Sequence, residues 1–354
     1  MKILYVDRAV VGHHIKYLTC LAHGTDADAV AVIPSEVSDL RCKQYVYTTP
    51  IKNVANPKVY LQWIRELKGI VKREKPDIIH FLYGDTFYRF FGLKLSGFKK
   101  TKTVLTLHWV RNGFIRQLSA KKICKKVDTV VVHSGFMKKQ LNDLGVKNVT
   151  HVEYPCFDQN VRIDKAEACA YWGIRTDVPT IVCIGNTRYD KGLDILLGAL
   201  QCAEHPFQLL VCGKEEAFGQ SFIEEKIQAY ADRVKLCLHY LSEEELSHAL
   251  GAADIIALPY RRSFNGASGP LGEGVALGKT IVGADHGSLG DLIRENHLGY
   301  TFESENEESL AAALNAALSS TFEKDEVYKS YQDSLNVDSF LKKYKAVYRA
   351  LIQN

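Results

Sequence analysis

Short apolar runs alternate with amphipathic segments along almost the whole chain, and this alternation restricts the fold more than any other feature. Runs such as Lys2–Asp7 and Thr180–Ile184 are mostly apolar, which predicts strands buried on both faces of a parallel sheet. Segments such as Pro57–Arg73 and Val337–Ile352 carry apolar residues at helical spacing. The alternation lapses between Tyr154 and Val178 and then restarts. The sequence therefore predicts an α/β protein with two doubly wound, Rossmann-like domains.

The remaining segments extend the same pattern. Further strands are expected at Ala29–Ile33, Asp77–Phe81, Thr103–Leu107, Val127–Val132, Phe207–Cys212, Val234–Leu238, Ile255–Leu258 and Thr280–Val282. Further helices are expected after the Gly12-His13-His14 loop up to about His23, and at Phe87–Leu95, Phe136–Leu144, Gly192–Ala203 and Glu308–Leu318.

The charges are distributed unevenly between the two halves. Residues 1–165 contain 28 Lys and Arg against 14 Asp and Glu, whereas the remainder contains 17 against 27. This change supports a domain boundary near residue 165, giving domains at 1–165 and 166–336. It also suggests that the first half faces something anionic.

Composition excludes several classes of protein. The chain has 354 residues, of which 46% are apolar, as is usual for a globular protein with a sizeable core. No apolar run approaches the roughly 18 residues that span a membrane, and no secretory leader is recognisable, so we expect a cytoplasmic protein. The nine cysteines include no Cys-x-x-Cys pair and are expected to be reduced, without metal or disulfide.

The stretch from Asn265 to Lys279, NGASGPLGEGVALGK, predicts a glycine-rich loop that runs into a helix. Ser268 is a candidate N-cap, and Gly266 and Gly269 leave the backbone open to close approach. Unpaired amides and the helix dipole favour an anion such as a phosphate at such a helix N-terminus. Glu273, expected in the first turn, would then contact the group that the phosphates carry.

A second loop, from Gly185 to Gly192, follows the first strand of the second half and contains Arg188 and Lys191. Two cations at the carboxyl edge of a sheet suit a diphosphate leaving group, because Arg offers a bidentate fork and Lys a point charge. The alternative is a solvated loop with incidental charges.

Together these motifs resemble the second domain of the GT-B glycosyltransferases, most closely the retaining family 4 enzymes (glycosyl transferases group 1). The resemblance rests on Gly185 with the Lys191-Gly192-Leu193-Asp194 segment, the Gly213-Lys214 turn, residues 266–279 and the Asp285-His286-Gly287 loop. In the first half Gly12, His108 and the VVVHS segment at Val130–Ser134 match more weakly. The resemblance implies a GT-B fold in which two Rossmann-like domains face a central cleft.

The resemblance also implies roles for matching residues. Glu273 corresponds to a carboxylate that hydrogen-bonds the donor ribose, Arg188 and Lys191 to the basic pair on the diphosphate, and His108 to a histidine beside the anomeric centre. The expected catalytic residues are therefore His108, Arg188 and Lys191. The expected donor-binding residues are Gly12, Asn265, Gly266, Ser268, Gly269, Pro270, Leu271 and Glu273. For His13 and His14 a surface or an acceptor-side role stays open.

Two positions depart from the family pattern. Asn265 stands where the family has a first Glu that contacts the donor sugar, so the sugar preference is open. Asn186 stands where an Arg usually follows the strand glycine, and we infer that Arg188 supplies the guanidinium instead.

The function that the resemblance implies is a retaining, metal-independent glycosyltransferase that uses no cofactor other than its nucleotide diphosphate-sugar co-substrate. The first domain, with the terminal helix 337–354, would bind a glycan or lipid-linked acceptor, and the second domain would bind the donor. Cell-surface polysaccharide or glycolipid assembly is the expected context. Two alternatives are a non-catalytic subunit that binds a glycan or nucleotide-sugar and a nucleotide-sugar epimerase.

Aromatic and basic residues interleave between Phe87 and Lys102, and further cations follow up to Lys126. One interpretation is peripheral contact with an anionic membrane, at its inner face, or with a lipid-linked acceptor. The other is a core helix with a solvated basic face. No nucleic-acid recognition module is recognisable, so no nucleic-acid partner is expected.

Overall fold

The computed structural model describes residues 1–49, 56–98, 100–111, 113–157, 162–264, 268–319 and 321–353. The chain divides into two compact units, one comprising Met1–Tyr154 with Val337–Asn354 and the other Pro155–Asn336. The change of charge near residue 165 thus lies inside the second unit. All nine cysteines belong to the described residues, and none of them forms a disulfide.

The first unit is built on a parallel sheet of order β3-β2-β1-β4-β5-β6-β7. Its strands are β1 (Lys2–Val6), β2 (Asp28–Ile33), β3 (Lys43–Val46), β4 (Ile78–Phe81), β5 (Lys102–Leu107), β6 (Thr129–Val132) and β7 (Val149–His151). Its helices are α1 (His13–Gly24), α2 (Pro57–Glu74), α3 (Phe114–Cys124), α4 (Gly135–Asp143) and the terminal α13 (Val337–Gln353). The strand order reverses direction at β1 and β4, and in such sheets ligands bind beyond the carboxyl ends of the strands.

The second unit repeats the architecture with a parallel sheet of order β10-β9-β8-β11-β12-β13. Its strands are β8 (Thr180–Ile184), β9 (Gln208–Cys212), β10 (Val234–Cys237), β11 (Ile255–Leu258), β12 (Thr280–Ala284) and β13 (Gly299–Phe302). Its helices are α5 (Lys165–Trp172), α6 (Leu193–Ala199), α7 (Gln220–Lys226), α8 (Glu243–Ala252), α9 (Gly269–Ala276), α10 (Gly287–Glu295), α11 (Glu307–Ser319) and α12 (Glu326–Ser334). The predicted α/β fold of two Rossmann-like domains is confirmed.

Each sheet lies in its own hydrophobic core. Helix α2 illustrates why the local sequence folds as it does: the Asn56 side chain accepts a hydrogen bond from the Lys58 amide, Pro57 occupies the first turn, and Lys75 ends the helix in a left-handed conformation. The terminal helix α13 buries a stripe of Phe340, Tyr344, Val347 and Tyr348. It packs within the first unit, where the Tyr348 hydroxyl lies 2.7 Å from Nδ1 of His80.

Two predicted helices differ in the structure. The segment predicted as a helix over Phe87–Leu95 instead contains 3-10 helices at Gly84–Phe90 and Leu95–Phe98, because Phe91 and Gly92 between them adopt a left-handed backbone. The helix predicted over Gly192–Ala203 is divided into α6 and a short 3-10 turn, and Gly192 itself is left-handed and precedes α6. In both segments the apolar spacing is correct, but a local backbone break ends the regular helix.

Candidate functional site

Two glycines keep the carboxyl edge of the second sheet free of side chains. Gly185 follows β8 with φ +121°, and Gly213 follows β9 with φ +145°. A Cβ atom on Gly213 would lie 2.3 Å from the carbonyl oxygen of Gly185. This distance is too short for any contact, so a side chain at residue 213 would force the backbone at Gly185 to move. A ligand at this edge therefore meets bare backbone.

Arg188 lies on an exposed loop directly after this edge. Its Nε and one terminal nitrogen donate to the two carboxylate oxygens of Asp190 at 2.9 and 2.7 Å. Arg188 in turn holds the pKa of Asp190 below its usual range, so this carboxyl is ionised at neutral pH. The bidentate pair fixes the orientation of the guanidinium, although the exposed pair itself adds little stability.

Lys191 folds back over the strand end rather than pointing away from it. A Cβ atom on Gly185 would lie 2.2 Å from the Lys191 ammonium, and the ammonium lies 5.3 Å from the ring centre of Tyr260. Such a contact with the aromatic face stabilises the charge by electrostatic attraction. The cation is therefore held beside the backbone gap that Gly185 leaves open.

Tyr260 links the two stretches that the sequence singled out. Its ring is buried beneath Lys191, and its hydroxyl lies 3.1 Å from Oγ of Ser268. The structure thus brings Lys191 and the beginning of α9 together around one tyrosine. Sequence reasoning missed Tyr260, because an aromatic residue after an apolar strand looks like an ordinary core residue. The signal that could have identified it is the basic pair that follows, Arg261 and Arg262.

Helix α9 begins as predicted, with Ser268 as its N-cap. The Ser268 hydroxyl accepts a hydrogen bond from the Leu271 amide at 3.3 Å. Pro270 has no N–H and the Leu271 amide already donates to Ser268, so Gly269 carries the amide that residues 269–271 can offer to a ligand.

Glu273 lies just beyond the first turn of α9, not within it, because the helix begins at Gly269. Its carboxylate nevertheless points back toward the helix N-terminus: Oε1 lies 3.9 Å from where a Cβ atom on Gly269 would be. The predicted donor-binding residues Asn265 and Gly266 lie outside the described residues.

Arg261 is a second residue that sequence reasoning missed. It is buried, and it donates to both carboxylate oxygens of Asp194 at 3.0 and 2.6 Å and to the carbonyl of Tyr189 at 2.6 Å. Its guanidinium also stacks 3.9 Å from the ring centre of Tyr189. These contacts tie the loop that carries Arg188 and Lys191 to the end of β11, so Arg261 is a positioning residue.

The carboxyl edge of the first sheet carries a stack of three rings. Tyr83 is sandwiched between His14, 4.0 Å away between ring centres, and His108, 4.1 Å away. Nε2 of His108 donates to the carbonyl of Leu82 at 2.9 Å, so Nδ1 keeps its lone pair. Burial, reinforced by nearby His133, lowers the pKa of His108 well below its usual value. His108 is therefore a neutral hydrogen-bond acceptor at physiological pH.

Asp7 and His14 form a buried pair beside this stack. Oδ1 of Asp7 accepts from Nδ1 of His14 at 2.8 Å and from the amides of Arg8 at 2.6 Å and Ala9 at 3.2 Å. These three contacts fix the orientation of the Asp7 carboxyl group and of the His14 ring. Gly12 precedes α1 and has φ +55°, a left-handed backbone conformation that favours glycine. Nothing lies within 4 Å of the position that a Cβ atom would take there.

Apolar side chains are exposed at the start of α3. Phe114 is 81% exposed and Ile115 is 68% exposed, and the exposed Arg116 and Lys122 lie on the same helix. Among the described residues no helix is long and apolar enough to cross a membrane.

Two sequence families together match most of the chain. The family described as Glycosyltransferase Family 4 matches residues 11–160, and the family described as Glycosyl transferases group 1 matches residues 164–334. No curated protein matches the sequence.

Solved structures resemble the fold over nearly the whole chain. A glycosyltransferase from Rickettsia africae is 19% identical, with a TM-score of 0.78 and coverage of 100% of this chain and 99% of that one. Anabaena HepE in complex with UDP is 15% identical, with a TM-score of 0.78 and coverage of 99% and 100%. HepE with UDP-glucose gives a TM-score of 0.73 at 14% identity, with coverage of 99% and 100%.

A third protein of this fold is WaaB, a lipopolysaccharide outer core galactosyltransferase. It is 14% identical, with a TM-score of 0.72 and coverage of 97% of this chain and 98% of that one. The two family matches coincide with the two halves of the chain, each of which is built on one parallel sheet. The chain belongs to the GT-B glycosyltransferases of the group 1, family 4 type.

Proposed function

We propose that the protein is a retaining hexosyltransferase that moves a sugar from a nucleotide diphosphate-sugar to a hydroxyl of a glycan or lipid-linked acceptor. The observation that carries this proposal is the contact of Tyr260 with both Lys191 and Ser268. It holds a cation and a capped helix N-terminus beside one bare backbone edge, as a diphosphate with a sugar attached requires.

In the proposed reaction the second unit stabilises the leaving diphosphate. Lys191 and Arg188 neutralise the negative charge that develops as the bond to the sugar breaks, and the Gly269 amide binds a phosphate oxygen. These groups are present before the reaction, so they need little reorganisation. Because they supply the positive charge, we propose a metal-independent reaction.

Glu273 binds the ribose in this proposal. An ionised carboxylate accepts hydrogen bonds from both hydroxyls of a ribose, which selects a nucleotide over a simple diphosphate. HepE structures with UDP and UDP-glucose support a nucleotide-sugar as the ligand class.

The first unit binds the acceptor in this proposal. The lone pair on Nδ1 of His108, which the resemblance places beside the anomeric centre, suits a sugar hydroxyl, which is a hydrogen-bond donor. The acceptor attacks from the same face as the leaving group, and the diphosphate takes its proton, which retains the anomeric configuration. The retaining outcome comes from the family resemblance.

A cell-surface polysaccharide or glycolipid is the proposed product class. The lipopolysaccharide role in the name of WaaB supports it. The exposed Phe114 and Ile115 beside Arg116 suit peripheral contact with an anionic membrane. Co-sedimentation with vesicles of phosphatidylcholine alone or with phosphatidylserine tests this contact, and equal binding to both would contradict it.

Donor turnover without acceptor tests the proposed function. We expect slow release of UDP or another nucleoside diphosphate from at least one nucleotide-sugar, and, with methanol added as a surrogate acceptor, a methyl glycoside that retains the anomeric configuration by NMR. An inverted configuration would contradict the retaining mechanism. An epimerised nucleotide-sugar would instead identify an epimerase.

Asn265 motivates the second candidate, a non-catalytic subunit that binds a nucleotide-sugar. Without the carboxylate of the family pattern, the sugar could bind without reacting. Tight donor binding with no hydrolysis of any nucleotide-sugar would favour this candidate over the enzyme.

A further inference from the structure

A cluster of three metal-ligand side chains lies at the end of β10, outside the site described above. Sγ of Cys237, a ring nitrogen of His239 and a carboxylate oxygen of Glu245 all lie within 4.8 Å of one another. Sγ of Cys237 lies 3.6 Å from Nε2 of His239, and this nitrogen lies 2.7 Å from Oε1 of Glu245. We propose that Cys237, His239 and Glu245 bind Zn²⁺ or a similar thiophilic divalent cation.

The distances suit a tetrahedral ion. With ordinary Zn–S, Zn–N and Zn–O bonds, sulfur and nitrogen ligands lie about 3.5 Å apart, and nitrogen and oxygen ligands about 3.3 Å apart. The sulfur–nitrogen distance already has this value. The shorter nitrogen–oxygen contact is a hydrogen bond, and it widens by roughly half an ångström when an ion replaces the shared proton.

His239 is the ligand that has to move. Both of its ring nitrogens lie within 4 Å of the Cys237 sulfur, at 3.8 and 3.6 Å, so the sulfur lies beside the ring rather than in line with one nitrogen. Its side chain is 60% exposed, so the ring can turn toward the ion without disturbing the core. The other two ligands are held by the fold.

Glu245 is held by the start of α8. Its Oε2 accepts the Ser242 amide at 2.7 Å, and the Ser242 hydroxyl accepts the Glu245 amide, which forms a capping box. This arrangement leaves Oε1 directed at His239. Carboxylates that coordinate a metal ion through one oxygen are usually held by a hydrogen bond to the other oxygen.

Cys237 is held by the sheet. It pairs in register with Cys212 on β9, so the two thiols lie side by side on one face of the sheet. The Cys212 thiol can donate to a Cys237 thiolate and so stabilise the metal-bound form. Soft thiolate with imidazole favours zinc over the hard cations magnesium and calcium. The fourth coordination position of the ion would face solvent, because His239 is exposed.

Binding should release a proton. A cysteine coordinates a metal ion as its thiolate, so Cys237 loses a proton when the ion binds. We therefore expect zinc affinity to rise with pH. The ion would also fix residues 238–242, which include the exposed Tyr240.

The test uses the full chain, freed of metal by dialysis against chelator, and Zn²⁺ in competition with a chromophoric chelator. We expect one equivalent to bind and to raise the Tm. With Co²⁺ in place of Zn²⁺, the thiolate ligand should give a sulfur-to-cobalt charge-transfer band in the near ultraviolet.

Variants assign the ligands. Cys237→Ser should abolish the charge-transfer band. Glu245→Gln should weaken zinc binding by more than the roughly 10- to 100-fold that a supporting residue costs, although glutamine preserves the capping box and hence the fold. Cys202→Ser, at an exposed thiol elsewhere, should bind like the wild type.

Three results would overturn the proposal: no stoichiometric zinc binding, no thiolate band, or unchanged binding in Glu245→Gln. If Cys237→Ser does not fold, Glu245→Gln and His239→Ala still test whether these side chains bind the ion. Neither variant removes a core side chain, so both should fold.

Discussion

At the scale of single residues, Lys191 depends on neighbours that the sequence motif does not reveal. The motif Lys191-Gly192-Leu193-Asp194 identifies the cation, but the ring of Tyr260 and the ion pair of Arg261 with Asp194 determine where it lies. The sequence could predict the charged residues because their type and spacing are unusual. It could not predict Tyr260 or Arg261, because partners in a folded loop leave no periodic pattern.

Replacing Lys191 tests the assignment of charge stabilisation. In Lys191→Ala we expect kcat to fall about 100- to 1,000-fold, the usual cost of losing one preorganised group that stabilises developing charge. Steady-state kinetics at saturating donor measure this loss. Lys226→Ala, on α7, is the control and should turn over normally. Normal turnover of Lys191→Ala at saturating donor would show that the assignment is wrong.

The sugar preference should respond to residue 265. In Asn265→Glu we expect the ranking of donor sugars to change, because the family uses a carboxylate at this position to contact the sugar. A panel of nucleotide-sugars that share one base measures the ranking. An unchanged sugar profile would count against a sugar-contacting role for Asn265.

At the scale of elements, the N-terminus of α9 combines a structural cap with the ligand-binding role that we propose. Ser268 was predictable because Ser before an apolar helix is a recognised cap signal. Two contacts of Ser268 could not be predicted, because they depend on how β11 and α9 pack. They are the hydrogen bond that its hydroxyl accepts from the Leu271 amide and its contact with the Tyr260 hydroxyl. By contrast, the polar strand β3 has no buried run and was missed altogether.

Removing this cap should lower stability and donor affinity together. Ser268→Ala should lower the free energy of unfolding by about 1 kcal/mol, the usual cost of an N-cap. Asp164→Ala removes an equivalent cap from α5, where the side chain accepts the Ala166 amide at 2.8 Å. Urea unfolding should show similar losses in both variants, but only Ser268→Ala should raise the donor Kd. Equal donor Kd values in the two variants would refute a ligand role for the α9 terminus.

At the scale of the whole molecule, the alternation of strands and helices predicted both sheets, because buried parallel strands are apolar throughout. The order of the strands within each sheet and the register of their pairing emerge only from the structure. The buried histidines were equally unpredictable: His80 is fully buried between Thr106 and Tyr348, although the sequence presents it within an ordinary strand.

These histidines predict how stability depends on pH. Burial lowers the pKa of His80 to about 3 and that of His133 to about 4. Below the usual value of about 6.5 the unfolded chain binds protons that the folded chain does not. Above that pH the two histidines do not change the free energy of unfolding. As the pH drops below it, each histidine lowers the free energy of unfolding by up to about 1.4 kcal/mol per pH unit.

Urea unfolding at pH 7.5 and pH 5.0 measures this effect. Trp63 and Trp109 report on the first unit and Trp172 on the second. We expect the first unit to lose stability at pH 5.0, because His80 and His133 both belong to it. Equal stability of the first unit at the two pH values would contradict neutral buried histidines.

The most direct test of the central claim, that the second unit binds a nucleotide diphosphate-sugar through α9, compares the wild type with Glu273→Ala. A thermal-shift screen of nucleotide-sugars, beginning with UDP-glucose, identifies the donor, because a ligand at about 100 times its Kd stabilises the folded protein by about 2.7 kcal/mol. Calorimetry then gives its Kd for both proteins. We predict that at least one nucleotide-sugar raises the wild-type Tm and binds Glu273→Ala at least about 10-fold more weakly, as the loss of a charge-assisted hydrogen bond implies. The account would be contradicted if no nucleotide-sugar raised the wild-type Tm, or if Glu273→Ala bound the donor as tightly as the wild type.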